Sequence, residues 1–113
     1  MKLNLDQAVK DFEGKDIMQQ VAPIDGVKQP DTVYTYKDVI RIAVNTIDEK
    51  NPMTAEKKVY AFQIGTKIFG KKLKEYDLTT EQVSFLKERI GVFFTPVVYG
   101  RFLELIGDLR SEE

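Results

Sequence analysis

From residue 33 to near the C-terminus, apolar residues recur at the three- and four-residue spacing of helices that bury one face. In the first of these stretches, Thr35 precedes Asp38 by three residues, in the pattern of an N-terminal capping box. Its apolar positions are Val39, Ile40, Ala43, Val44 and Ile47. The pattern predicts a first helix that follows Thr35 and ends before the break DEKNPMT, where Pro52 stands.

A second helix is predicted from about Ala55 to Tyr76, with Thr54 as its N-cap residue. This helix is apolar on two nearly opposite sides. One side carries Val59, Phe62, Phe69 and Leu73, and the other side carries Tyr60, Ile64 and Ile68. A helix of this kind usually lies centrally in a bundle, and otherwise it keeps one face for a partner.

The face formed by Tyr60, Ile64 and Ile68 is therefore the candidate interface for a second copy or for another protein. An Ile64→Asp substitution distinguishes the two interpretations. It releases folded monomers from an oligomer if this face is an interface, and it unfolds the chain if this face belongs to the core.

The apolar stretch GVFFTPVVYG, residues 91–100, is interpreted as a corner between two helices. Thr95-Pro96 has the sequence of an N-cap residue followed by proline at the first helical position. Because a proline disfavours helical geometry in the residue before it, the preceding helix should end near Phe94. That helix begins after Thr79 or Thr80.

The two helices on either side of this corner are predicted to pack against each other. Their apolar stripes are Val83, Leu86, Ile90 and Phe93 in the first and Val98, Phe102, Leu105 and Leu109 in the second. Three glycines would allow a close approach of the backbones, namely Gly91, Gly100 and Gly107. Gly107 equally suits a C-terminal cap.

The N-terminal third has short apolar groups separated by Asp, Gly and Pro. Glu13-Gly14 lies between VKDF and KDIM and predicts the turn of a small hairpin, and residues 22–32 predict a surface loop. The predicted fold is mostly α (α+β): a short N-terminal β-hairpin, then about four helices, the last two forming a helical hairpin. We expect one domain over 1–113, with an extended region at 1–32 and a helical region at 33–110.

Composition narrows the possible functions. The chain has 113 residues, 42% of them hydrophobic, with 17 basic and 18 acidic residues and a net charge of −1. This balance argues against a general polyanion binder. There is no Cys and no His, which excludes disulfides, thiolate nucleophiles and histidine-dependent triads within one chain. No run approaches the roughly 18 apolar residues of a membrane span, so a cytoplasmic protein without membrane contact is expected.

Candidate chemistry is sparse. The acids near the N-terminus lack calcium-loop spacing, and GTKIFGKKL lacks the Ser or Thr of a phosphate loop. A lysine stripe at Lys67, Lys71 and Lys74 could track phosphates, and Tyr99 with Arg101 could hold a planar anion. Solvated lysines and half-buried tyrosines are the commoner interpretation. No catalytic residue, metal ligand or cofactor is predicted.

The segments EGKDI at 13–17, KERIG at 87–91 and PVVYG at 96–100 occur in the order found in a group of small uncharacterised proteins of bacteriophage and prophage genomes. The chain resembles that group at the level of this pattern. The resemblance implies an accessory protein made in the cytoplasm of an infected bacterium. It transfers no functional residue, because the group has no agreed activity.

The sequence thus favours a non-enzymatic, phage-derived accessory protein that binds a host or phage protein, with homo-oligomerisation through the second helix as one form of this function. The alternative is binding of nucleic acid or a small nucleotide by the lysine stripe and nearby tyrosines. A metal-dependent enzyme that uses only carboxylates is the least favoured class.

Overall fold

The computed structural model describes residues 1–109, and its order of elements agrees with the predicted α+β class. The strands are β1 (Lys2–Leu3), β2 (Met18–Gln19), β3 (Thr32–Val33) and β4 (Tyr76–Asp77). The helices are α1 (Tyr36–Asn45), α2 (Ala55–Phe69), α3 (Thr80–Phe93) and α4 (Pro96–Leu105). The predicted end of the helical region at residue 110 lies outside the described residues.

The predicted turn at Glu13-Gly14 is confirmed. Gly14 has a φ of 81°, which glycine adopts without steric cost. The backbone N–H of Ile17 donates to the carbonyl of Val9 at 3.0 Å across this hairpin. Beyond it, β2 and β3 form a second antiparallel pair, with Met18 opposite Val33. The sequence predicts a surface loop over residues 22–32, and the pairing of β3 with β2 was not predicted.

Three threonines begin helices as predicted. Thr35 forms a capping box with Asp38, since the Thr35 N–H donates to the Asp38 carboxylate at 2.9 Å and the Asp38 N–H donates to the Thr35 hydroxyl at 3.4 Å. Thr54 accepts from the N–H of Lys57 at 3.2 Å. Thr79, rather than Thr80, caps α3 in a box with Gln82. Each cap satisfies a backbone donor that the first helical turn leaves unpaired.

Helix α2 ends at Phe69, seven residues before the predicted end at Tyr76. The reason is tertiary. Tyr76 is buried, and its hydroxyl donates to the Lys71 carbonyl at 2.9 Å and accepts from the Leu73 N–H at 3.1 Å. Tyr76 also pairs with Leu3 of β1. These contacts require a turn after Phe69, where the local apolar pattern would have continued the helix.

One hydrophobic core joins the strands and the helices. Helix α1 packs against both α2 and α3, and α3 packs against both α1 and α4. The sequence left open whether α2 is a central helix or keeps one face for a partner. In the structure α2 is not covered on both apolar sides, because Val59 and Phe62 are exposed. The helical residues of the core include Val39, Ile40, Ala43, Ala61, Ile64, Ile68, Leu86, Ile90, Val98 and Phe102.

The corner at Thr95-Pro96 and the α3–α4 hairpin are confirmed. At Gly91 an added Cβ would lie 3.2 Å from Cε1 of Tyr99, so the tyrosine ring packs directly on this glycine. Gly100 faces open space, and close approach is not its role. Gly107 has a φ of 82° and follows α4, as a C-terminal cap does.

One charged side chain is buried in this core. Arg89 of α3 is 6% exposed, and its guanidinium donates to the carbonyl of Ala43 at 3.5 Å and to that of Thr46. It also lies over the ring of Phe93, 4.6 Å from the ring centre. Helix α1 has no basic residue in its own last turn. Arg89 therefore supplies from α3 the cation that favours the C-terminal end of a helix.

The burial of Ile64 leads to a first prediction. Ile64 is fully buried, whereas Val59 on the same helix is 57% exposed. Ile64→Ala should reduce the free energy of unfolding by about 2–5 kcal/mol, and the matched Val59→Ala should change it by no more than about 0.5 kcal/mol. Urea denaturation of both variants measures the difference. Equal and small effects would contradict the assignment of the buried face.

Candidate functional site: the groove between α1 and α2

A groove of about 470 Å³ lies between α1 and α2 and opens to solvent. Buried apolar side chains of Val44, Met53 and Ala61 form part of its lining, and the more exposed Ile47, Phe62 and Phe69 also line it. Its size is within the range of about 300–1,000 Å³ that is usual for binding pockets. The groove therefore has the size and lining of a binding site.

Two small residues of α2 line the groove. Ala61 and Gly65 lie one turn apart, and both line it. A Cβ added at Gly65 would meet no atom within 4 Å. Larger side chains at this position would project into open space, so the glycine keeps part of the groove open. A glycine inside a helix costs about 0.5–1 kcal/mol relative to alanine, and nothing in the local packing requires it here.

Phe62 is the most exposed apolar side chain of α2, with 70% of its surface accessible. Val59 lies one turn before it on the same face and is also exposed. The two residues form an apolar ridge, which we call the α2 ridge. On one flank of the α2 ridge is the groove, and on the other is a larger open depression of about 840 Å³ between α2 and α3, which Tyr60 and Phe85 line.

The charged residues that line the groove are both basic. Arg41 and Lys58 line it together with the neutral Asn45 and Thr66, and none of the described residues that line it is acidic. The Arg41 guanidinium stacks over the ring of Phe69, 4.2 Å from its centre, a cation–π contact that holds the arginine at the groove. The depression on the other flank has mixed charge, with Glu56, Lys57 and Glu81.

The predicted interface at Tyr60, Ile64 and Ile68 is corrected by the structure. Ile64 and Ile68 are fully buried in the core, and Tyr60 is half-buried with its ring edge-on to Phe85 at 5.3 Å. Within the described chain, the buried Tyr60 hydroxyl has no hydrogen-bond partner. The exposed apolar face of α2 is the opposite one. Periodicity showed two apolar faces but could not show which of them α1 covers.

The predicted anion-binding residues lie in separate places. Lys67 donates to the Gln82 side chain at 3.2 Å, while Lys71 and Lys74 follow the end of α2 and share no helical face with it. The ring of Tyr99 packs on Gly91.

Arg101, the fifth of these residues, binds the N-terminal hairpin. Its guanidinium donates to the carbonyl of Lys10 at 3.2 Å and to that of Asp11, and it pairs with Glu104 at 2.9 Å. The lysine stripe that suggested nucleic-acid or nucleotide binding is therefore not formed as predicted, and Arg101 acts as a link between α4 and the hairpin.

Several side chains have pKa values shifted from their usual values, and hydrogen bonds and neighbouring charges within the fold cause these shifts. The N–H of Leu73, which donates to the phenolic oxygen, lowers the pKa of Tyr76, and the Tyr76 side chain raises the pKa of Lys37, whose ammonium lies 4.9 Å from the ring centre. The carboxylate of Asp108, 2.7 Å away, raises the pKa of Lys87. None of these groups lines the groove.

Among residues 1–109, no group of three or more Asp and Glu side chains is placed to hold a metal ion. Over the same residues, no helix is both long and apolar enough to cross a membrane. Comparisons with protein-family models, curated proteins and solved structures gave no match. The groove and the α2 ridge are therefore the features that point to a function.

Gly65 provides a test of the open groove. Gly65→Ala should increase the free energy of unfolding by about 0.5–1 kcal/mol, because the methyl group enters open space and alanine favours the helix. The control is Gly70→Ala, in which the new Cβ would lie 2.4 Å from the Thr66 carbonyl oxygen and should destabilise the protein. Thermal unfolding distinguishes the two. Destabilisation by Gly65→Ala would show that the site is packed rather than open.

Proposed function

We propose that this chain is a small, non-enzymatic accessory protein that acts by binding another protein chain through the groove and the α2 ridge. In keeping with the phage resemblance, we place its action in the cytoplasm of a host bacterium. The observation that carries the proposal is the exposure of Phe62 beside an apolar groove. Exposed apolar patches beside polar residues mark interaction sites on soluble proteins.

The residues that line the groove favour binding of a protein over binding of a small substrate. Aromatic residues and arginine are the commonest energetic anchors of protein interfaces, and the groove presents Phe62, Phe69 and Arg41 together. The Arg41–Phe69 stack also orders the arginine before a partner arrives. This ordering lowers the entropy that binding would otherwise cost.

The non-enzymatic character of the proposal rests on the available side chains. The sequence has no His and no Cys, which are the commonest general base and the strongest side-chain nucleophile. The groove contributes cationic, amide and hydroxyl groups but no described carboxylate. A surface of this kind can attract and orient a partner, and it offers no paired acid and base for proton transfer.

Phe62→Asp is the direct test of this proposal. The matched control is Val92→Asp, which places the same charge on an exposed apolar position of α3. We expect Phe62→Asp to abolish both self-association and the capture of proteins from a bacterial lysate, because a carboxylate replaces the apolar anchor. Val92→Asp should retain whichever of these the wild-type chain shows. Light scattering behind size exclusion and pull-down measure the two. Unchanged binding by the Phe62→Asp variant would contradict the proposal.

A further inference from the structure

A second exposed apolar feature lies in the connection between β2 and β3. Ile24 and Val27 exchange backbone hydrogen bonds of 3.1 and 2.9 Å around Asp25-Gly26. Asp25 has a φ of 51° and Gly26 a φ of 76°, the signature of a type I′ hairpin turn. We call residues 24–27 the tip. The tip is thus a defined turn in the region that the sequence predicted as a plain loop.

The tip holds its apolar side chains in solvent. Ile24 is 61% exposed and Val27 is 62% exposed. Met18 of β2 and Val33 of β3, the strands that this turn connects, are also exposed, and the described sheet they form has two strands only. A hydrogen-bonded turn that displays two branched apolar side chains contributes little burial to its own fold. Its preformed geometry would lower the cost of binding a second surface.

The tip and the groove are complementary in charge. Asp25 stands at the apex of the tip, between its two apolar residues. The groove has an apolar lining with the cations Arg41 and Lys58 and no described acid. The connection between β2 and β3, residues 20–31, carries Asp25 and Asp31 but only one basic residue, Lys28, so its net charge is negative. Opposite charges at an interface steer association and fix its register.

We infer that the groove of one copy of this chain binds the tip of a second copy, with Ile24 and Val27 against the α2 ridge and Asp25 near Arg41 or Lys58. This inference rests on the proposed function and names its partner. Because tip and groove are different surfaces, the contact is head-to-tail. Repetition of such a contact gives a closed ring or an open filament, and not a symmetric dimer of like surfaces.

Mixing two blocked variants tests the inference. Ile24→Asp blocks the tip and leaves the groove intact, and Phe62→Asp blocks the groove and leaves the tip intact. Each variant alone should stay at the monomer mass of 13.0 kDa at concentrations where the wild type forms larger species. In an equimolar mixture, the intact groove of the Ile24→Asp variant can bind the intact tip of the Phe62→Asp variant. The mixture should therefore form a dimer of twice the monomer mass. Light scattering behind size exclusion gives the masses, and circular dichroism confirms that both variants are folded.

A charge variant tests the predicted register. Asp25→Asn retains a residue that tolerates positive φ and should weaken self-association by up to about fivefold, the range of an exposed ion pair, with the difference reduced at high salt. Asp31→Asn makes the same charge change outside the tip and should have a smaller effect. Equal effects of both variants would overturn the assignment of Asp25 to the groove.

The outcomes separate this inference from the proposed function. If the mixture remains monomeric while the wild type associates, a different surface joins the copies and the inference is overturned. If the wild type is monomeric at all concentrations and captures a lysate protein in a Phe62-dependent way, the inference is also overturned and the proposed function is supported. If Phe62→Asp alters neither self-association nor capture, both are overturned.

Discussion

The buried guanidinium of Arg89 connects the end of α1 to α3, and the candidate site depends on this connection. Its acceptors are the carbonyls of Ala43 and Thr46, at the point where α1 ends. A buried carbonyl without a partner costs about 1–3 kcal/mol, so the arginine holds this part of the backbone in place. Thr46 is followed directly by Ile47, which lines the groove. A contact in the core thus positions one wall of the groove.

The groove exists because only one of the two apolar faces of α2 is buried. One face, with Ile64 and Ile68, is buried in the core. The other face, with Val59 and Phe62, is left in solvent, while β4 pairs with β1. Gly65 then keeps the space beside the α2 ridge open at some cost in helix stability. The proposed interaction surface would explain these features together, since each of them lowers the stability that an isolated chain could reach.

The elements that the sequence predicted well are those with local causes. Thr35 and Thr79 cap helices through hydrogen bonds within one turn, and Thr95-Pro96 makes a corner through the geometry of proline. The end of α2 was wrong because it is set by the burial of Tyr76 against a strand far away in the sequence. Local periodicity does not contain that information.

The candidate site was harder to predict for a related reason. Two apolar faces on α2 were visible in the sequence, but the choice between them depends on where α1 packs. The lysine stripe assumed a helix that continued past Phe69, and it was lost with that assumption. One signal in the sequence could have found the tip: Asp25-Gly26, flanked by Ile24 and Val27, is the dipeptide that type I′ hairpins favour.

The most direct test of the central claim, that the α2 ridge becomes covered when copies associate, is fluorescence from a single tryptophan. The chain contains no Trp, so Phe62→Trp introduces one reporter at the α2 ridge and Phe12→Trp introduces one at an exposed control position. If the α2 ridge is covered on association, emission from position 62 should shift to shorter wavelength as the protein concentration rises, while emission from position 12 should not. Emission from position 62 that stays solvent-exposed at every concentration, while the mass of the protein increases, would contradict it.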